Sequence, residues 1–326
     1  MVRWMSLLAM TLTTVAWGQS PPSGPGQAFP TRPVRVVVPQ PAGGNMDANA
    51  RALMVFLEQA FGQNFVVDNR GGANGIIAAE MVARAASDGH TILYTSNSFL
   101  NNQLAQKKLS YHVINDFAPV TQVATMPGYL VLVNAQVPAK TLKELIDLSK
   151  APSSNIKFGS GGIGNSQHLL GEFMNARSGS RLVHVPYKGL APMITGVLSN
   201  EIQVAFAAPT VVLQHIKSGR LKALGYSAGK RWAGMPELPT MGEVIPGFSY
   251  EAAWHGVFAP AALPKSLVSR LHAEIAKAVQ VPKMRDYLES GGYYPLASTP
   301  EDFRKFLVND LKTLAELFRM ANIKPE

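Results

Sequence analysis

Val34-Arg35-Val36-Val37-Val38-Pro39-Gln40-Pro41-Ala42-Gly43-Gly44-Asn45-Met46-Asp47 reads as a strand, a glycine turn and the opening of a helix. The β-branched run suits a strand buried on both faces. From Asn45 the apolar residues Ala50, Leu53, Leu57 and Phe61 recur at helical spacing, and Gly62 supplies the stop. Outward from this unit the alternation repeats. Phe65-Val66-Val67 is a strand, Gly71-Gly72 a turn, Ile76 to Ala86 a helix and Thr91 to Thr95 another strand. Short apolar strands alternating with helices predict a parallel sheet covered on both faces.

The pattern then restarts. Tyr129 to Val133 reads as a strand, and Thr141-Leu142-Lys143-Glu144 is a capping box that opens a helix. Further strands are expected at Ile156 to Phe158, Leu182 to Val185, Ile202 to Phe206 and Leu221 to Tyr226. Trp254 to Ala259 reads as the strand that brings the chain back to the first unit. Helices follow over Lys265 to Gln280, over Lys283 to Glu289, and from Thr299-Pro300 as N-cap and N1. The expected organisation is two α/β domains, one inserted into the other. Residues 30–124 and 250–326 make the first and residues 125–249 the second. The crossing segments lie near Gln122 to Met126 and Gly247 to Ala253, and the cleft between domains is the expected ligand site.

Composition narrows the function. A chain of 326 residues has room for about two domains. The absence of cysteine excludes disulfides, thiolate nucleophiles and Cys-based metal sites. The net charge is +9, but basic residues run no longer than pairs such as Lys107-Lys108 and Lys230-Arg231. Nucleic acid, which needs a clustered stripe, is therefore not an expected partner, whereas diffuse positive charge suits a small anion. The seven histidines show no metal-binding spacing, and neither a G-x-S-x-G elbow nor a Walker A loop occurs. No metal, cofactor or catalytic residue is assigned. Phe117 to Ala139 carries no formal charge, but Pro119, Pro127 and Gly128 divide it into two strands joined by a turn. Residues 1–18 have the layout of a secretory signal peptide: Arg3, an uncharged apolar stretch, then small residues at Ala16 and Gly18. Residues 19–29 read as a Pro/Gly/Ser-rich linker. Export without a lipobox cysteine predicts a protein free in the periplasm.

Gly159-Ser160-Gly161-Gly162-Ile163-Gly164 fits G-x-G-x-x-G between a strand and a helix. Taken alone it suggests a nicotinamide-dependent oxidoreductase, the alternative reading of this chain. The acidic residue such a site needs about 20 positions on is missing, because Glu201 is the next carboxylate after Glu172. Without a dinucleotide, glycines still let backbone approach an anion, and N–H groups at a helix start can hold it. The Gly43-Gly44 turn repeats the arrangement. Two such turns facing one another predict an acid with two polar ends as ligand.

These segments resemble, in order, the Bug family of extracytoplasmic solute-binding receptors of tripartite tricarboxylate transporters. The resemblance is carried by Pro30-Thr31-Arg32-Pro33-Val34-Arg35, Pro41 to Asp47, Asp68-Asn69-Arg70-Gly71-Gly72-Ala73-Asn74-Gly75, Ser87-Asp88-Gly89-His90-Thr91 and Asp116-Phe117-Ala118-Pro119-Val120. Gly159 to Glu172, Val183 to Gly189, His215 to Ala223 and Trp254 to Pro260 complete it. It implies an α/β two-domain periplasmic-binding-protein type II fold that closes over a small organic carboxylate, performs no chemistry and is expected to be a monomer. Membrane subunits of a transporter, or a sensor kinase, are the implied protein partners. It also implies that Gly43, Gly44, Asn45, Met46 and Asp47 hold one ligand carboxylate, with Asn74 and Ser96 nearby. Ser160, Gly161, Gly162, Asn165, Ser166 and His168 would take the other end, with Tyr187, Phe206 and Ala207 alongside. Two departures stand out. Ala42 replaces the second proline of Pro-Pro-Gly-Gly, and Ala207-Ala208 stands where members that bind amino acids can carry an aspartate. An ammonium group would have no counter-charge there, so a ligand without an α-amino group is expected. Met46, Phe99, Met126 and Phe206 are the apolar candidates for the rest of the site.

Overall fold

The computed structural model describes residues 29–250, 253–320 and 323–325. The expected signal peptide, 1–18, lies outside the described residues, as does the linker up to residue 28. In chain order the elements begin β1 (Val34–Val38), α1 (Asn45–Phe61), β2 (Phe65–Asn69), α2 (Ile76–Ala83), β3 (Thr91–Ser96), α3 (Ser98–Ala105) and β4 (Phe117–Met126). Next come β5 (Leu130–Asn134), α4 (Leu142–Lys150), β6 (Lys157–Ser160), α5 (Ser166–Ser178), β7 (Val183–Pro186), α6 (Leu190–Leu198), β8 (Val204–Ala207), α7 (Pro209–Lys217), β9 (Leu221–Tyr226) and α8 (Met241–Val244). The chain closes with β10 (Ala253–Pro260), α9 (Lys265–Gln280), α10 (Pro282–Ser290), β11 (Tyr294–Pro295) and α11 (Pro300–Met320).

The strands form two sheets, ordered β11-β4-β10-β3-β1-β2 and β7-β6-β8-β5-β9. The expectation of wholly parallel sheets is corrected. β1, β2 and β3 run parallel, as do β6, β7 and β8, but β10 is antiparallel to β3 and β4, and β5 is antiparallel to β8 and β9. The strands next to the crossings enter each sheet from the other one, so they run against their βαβ neighbours. For the same reason β4 and β5 are not a hairpin: they lie in different sheets.

Period-two alternation divides the second sheet between two cores. Val131, Val133 and Phe206 face the large core that is continuous with the first sheet. Leu130, Leu132, Ala205 and Ala207 face a separate cluster closed by Met193, Ile194 and Val197 of α6 and Val212 of α7. Local signals set the helix ends. Gly62 stops α1 in the left-handed region at φ 65°. At α4 the Thr141 hydroxyl accepts from the Glu144 N–H, but the Glu144 carboxylate reaches the N–H of Lys140 rather than that of Thr141, so only half of the expected box forms. Helix α3 was not foreseen: three asparagines within Asn97 to Asn102 argue against a helix by propensity.

Ser227 braces the crossing between the sheets. Its buried hydroxyl accepts from the Tyr129 N–H and donates to the Tyr250 carbonyl, both at 2.9 Å. Its backbone adds bonds to Tyr129 O at 3.0 Å and from Tyr250 N–H at 2.9 Å.

Candidate functional site

Ligands of open α/β sheets bind beyond the carboxyl ends of the strands, and both glycine turns sit there, after β1 and after β6. In the first turn Gly43 adopts φ 86°, a conformation that disfavours a side chain. Gly44 is the N-cap of α1 and no side chain caps the helix. The N–H groups of the first turn, from Asn45 to Asp47, therefore lack intrahelical partners and carry the positive end of a 17-residue helix. The Asp47 side chain holds the turn rather than facing out of it. It accepts from the Gly43 N–H at 2.8 Å, from Arg51 Nε at 2.9 Å and from Asn69 Nδ2 at 2.9 Å. Burial alone would raise its carboxyl, but the bonds from Arg51, Gly43 and Asn69 outweigh that and hold it below the ordinary value.

The second turn differs in kind. The Gly161 N–H donates to Gln167 Oε1, the Gly162 N–H to Ser160 Oγ and the Gly164 N–H to His168 Nδ1. Asn165 is the N-cap of α5, accepting from the His168 N–H at 3.0 Å. The amides expected to meet a ligand at Gly161 and Gly162, and that of Gly164 beside them, are thus occupied within the turn. The G-x-G-x-x-G loop is a self-satisfied turn, which does not suit a pyrophosphate. His168 stacks on His184 at 3.8 Å between ring centroids, and a ring nitrogen of His184 bonds the Ser160 hydroxyl at 2.7 Å. Burial pushes His168 down to about 4; burial, and after it the neighbouring His168, pushes His184 down to about 3. Both rings are neutral at ordinary pH.

The two sheets meet around these turns. Asn97 Nδ2 donates to Ser166 Oγ, and Asn101 Nδ2 donates to the Gly164 carbonyl at 3.0 Å. Thr210 at the start of α7 donates to the Gly291 carbonyl at 3.1 Å. A cavity of about 220 Å³ lies against this junction, lined by Asn45, Ala48 and Asn49 of α1, Thr210 and Val211 of α7, and Tyr287, Ser290, Gly291 and Tyr293. Among the described residues, no charged side chain lines it. Behind it His255 is buried, with Asn49 Nδ2 and the Tyr94 hydroxyl at 3.2 and 3.1 Å from its Nδ1 and Tyr293 stacked on the ring. Burial pushes this histidine down to about 3.

Several residues named from the sequence are placed elsewhere than at the cavity. The Tyr187 ring packs on Gly159 and Gly196 in the second-sheet core. Phe206 packs edge-on against Phe158, and Ala207 faces the outer core of the same sheet. Phe99 lies among Tyr111, Phe117 and Phe258, and Met46 and Met126 are buried too. Asn74 pairs with Asn102, and Ser96 lies opposite His255 in the β3–β10 pairing. Of the named residues only Asn45 lines the cavity. Sequence reasoning missed Asn49, Thr210 and Tyr293 of that wall, and Asn97 and Asn101 of the junction. The cluster of asparagines directly after β3 is the signal that could have revealed the last two.

Two mixed sheets joined by crossing strands, with the first glycine turn beside a cavity where they meet, are the frame of a periplasmic solute-binding protein. The chain belongs to the tripartite tricarboxylate transporter family receptors (TctC), a match that runs over residues 49–323. Among its relatives, the UPF0065 protein in the tcbD-tcbE intergenic region of Pseudomonas sp. (strain P51) is 37% identical over 276 residues, 84% of this chain and 82% of that one. Protein BugT of Bordetella pertussis is 31% identical over 91% of both chains. The structure resembles R. palustris Rpa4515 with adipate (TM-score 0.85, 28% identity, 92% of this chain and 100% of that one). It also resembles the periplasmic binding protein BugD (TM-score 0.83, 32%, 91% and 100%). A further likeness is to MatC from Rhodopseudomonas palustris with bound malate (TM-score 0.80, 27%, 89% and 99%). The family is one of receptors, so the chain is not an enzyme, and the oxidoreductase alternative falls with that.

Proposed function

We propose that this chain is a periplasmic solute-binding protein that captures a small organic mono- or dicarboxylate, not an amino acid, and presents it to a tripartite transporter or a sensor. The observation that carries the reading is the uncapped start of α1 at the Gly43-Gly44 turn, which opens beside a cavity that no charged side chain lines among the described residues. Backbone N–H groups and a helix dipole suit a carboxylate, and an ammonium group would find no counter-charge there. The adipate and malate carried by two structural neighbours belong to the same chemical class. In this reading residues 1–18 are a removable signal, and 30–124 with 250–326 and 125–249 are the two domains. They close on the ligand by population shift, because its contacts to both sides favour the closed form.

A thermal-shift screen of adipate, malate, other aliphatic and aromatic acids, aspartate, glutamate and NAD tests this. A true ligand at about 100 times its Kd adds roughly 2.7 kcal/mol of stability. A response to carboxylates without a response to aspartate or glutamate is expected. Tight binding of either amino acid, or a response to NAD alone, overturns the reading.

A further inference from the structure

We propose that α3 is a crossbar that sets the second glycine turn in register with the Gly71–Gly75 turn of the first sheet, with Asn97 and Asn101 as positioning residues for capture. What is captured rests on the reading above; the crossbar rests on the side chains of α3 alone. Asn102 faces the first-sheet side. Its Nδ2 donates to the Asn74 carbonyl at 3.0 Å and its Oδ1 accepts from Asn74 Nδ2 at 2.9 Å, pinning a residue held at φ 50° in the Gly71–Gly75 turn. Asn101 faces the other sheet and, fully buried, donates to the Gly164 carbonyl. Asn97 lies four residues earlier on the same face and donates to Ser166 Oγ. Ala105 lies four residues later and stands where a side chain at Gly164 would have to go. Positions 97, 101 and 105 thus form one stripe against the turn that opens α5.

Asparagine is a poor helix former, and leucine would seal an apolar interface better. Buried carboxamides at Asn97 and Asn101 instead make bonds that form only when the Gly164–Ser166 turn is docked at one position, and so they select that position.

The absence of cysteine allows a direct test. Val55→Cys on α1 and Val183→Cys on β7, 52% and 46% exposed in the parent, place spin labels on opposite sides of the junction. Their distance distribution is recorded without ligand in the parent and in N97A, N101A and the gentler N97S, each checked for folding by circular dichroism. Kd values for adipate and for malate are measured alongside. The variants are expected to show a longer, broader distribution. They are also expected to weaken both acids by the same factor, about fivefold per lost buried bond, because a positioning residue alters populations and not ligand contacts. An unchanged distribution in a folded N97A, N101A or N97S, or a factor that differs between the two acids, overturns the proposal. If neither acid binds the parent, the distances still decide the crossbar, and the wider carboxylate screen decides the ligand reading separately.

Discussion

Lowering the pH from 7.5 to 5 should remove much of the stability of this protein, and buried histidines set the size of the loss. His168, held near 4, and His255, held near 3, both start from an ordinary value of 6.5. Both folded-state values lie below the unfolded ones, so between them the unfolded chain binds more protons. Stability from these groups is complete above about pH 6.5 and declines as the pH falls toward about 4. At pH 5 each neutral buried ring costs about 2 kcal/mol relative to a free histidine, together about 4 kcal/mol. That figure changes little whether the folded value is 3 or 4, because both lie below the working pH. His184 adds less, since solvent reaches part of its ring. Glu172, whose Oε1 lies 4.0 Å from His168 Nε2, has its carboxyl raised by burial and acts in the opposite sense, recovering a little stability as the pH falls. The paired carboxylates Asp47 and Asp88 are held below their ordinary value, so the stability they give is present throughout this window and is lost only as the pH falls below about 4. Urea unfolding followed by tryptophan fluorescence at pH 7.5, 6.5, 5.5 and 5.0 measures the effect. A total of about 4 kcal/mol out of a usual 5–15 kcal/mol should shift the midpoint strongly. A midpoint that stays flat to pH 5, or a slope that H255Q leaves untouched, would refute the argument.

Three substitutions test the scaffold around the site. Gly171→Ala would put a methyl 2.2 Å from the fully buried Phe158 ring, so overpacking of about 1–3 kcal/mol should outweigh the gain of up to about 1 kcal/mol in helix propensity and lower the Tm. Asp47→Asn turns a donor toward the Gly43 N–H; chemical denaturation should show a loss of about 1–3 kcal/mol, and calorimetry weaker carboxylate binding, unless the first turn is irrelevant to the ligand. Ser227→Ala leaves the Tyr129 N–H and Tyr250 carbonyl without its hydroxyl, a loss of about 2–4 kcal/mol in urea unfolding; a value near zero would show that the crossing needs no such brace.

Residues close in sequence carried much of this architecture. The β-branched run of β1, the helical spacing from Asn45 to Phe61, Gly62 as the stop of α1 and Thr299-Pro300 at the start of α11 act within a few residues, so the chain displays them directly. Both glycine turns were legible for the same reason, as was the departure from a dinucleotide site after Glu172. Strand direction was not. Whether β5 and β10 run with or against their neighbours depends on where the chain crosses between sheets, and apolar composition is the same either way.

Side-chain direction was equally hidden. Asp47, Phe206 and Tyr187 are all residues that the resemblance places at the ligand, yet their side chains face Gly43, Phe158 and Gly196. The second glycine turn consumes its own amides through Gln167, Ser160 and His168, a fact set by three side-chain torsions that no motif encodes. By itself the sequence determined the kind of protein: alternating strands and helices, two glycine turns each leading from a strand into a helix, and no cysteine, metal spacing or nucleophile elbow. Only the tertiary structure decided that α1 begins without a side-chain cap while Asn165 caps α5 and the turn before it bonds its own amides, and that α3 ties that turn to the Gly71–Gly75 turn. These depend on contacts between residues about 60 to 70 positions apart, such as Asn97 with Ser166 and Asn101 with Gly164, whose partners become neighbours only when the two sheets pack.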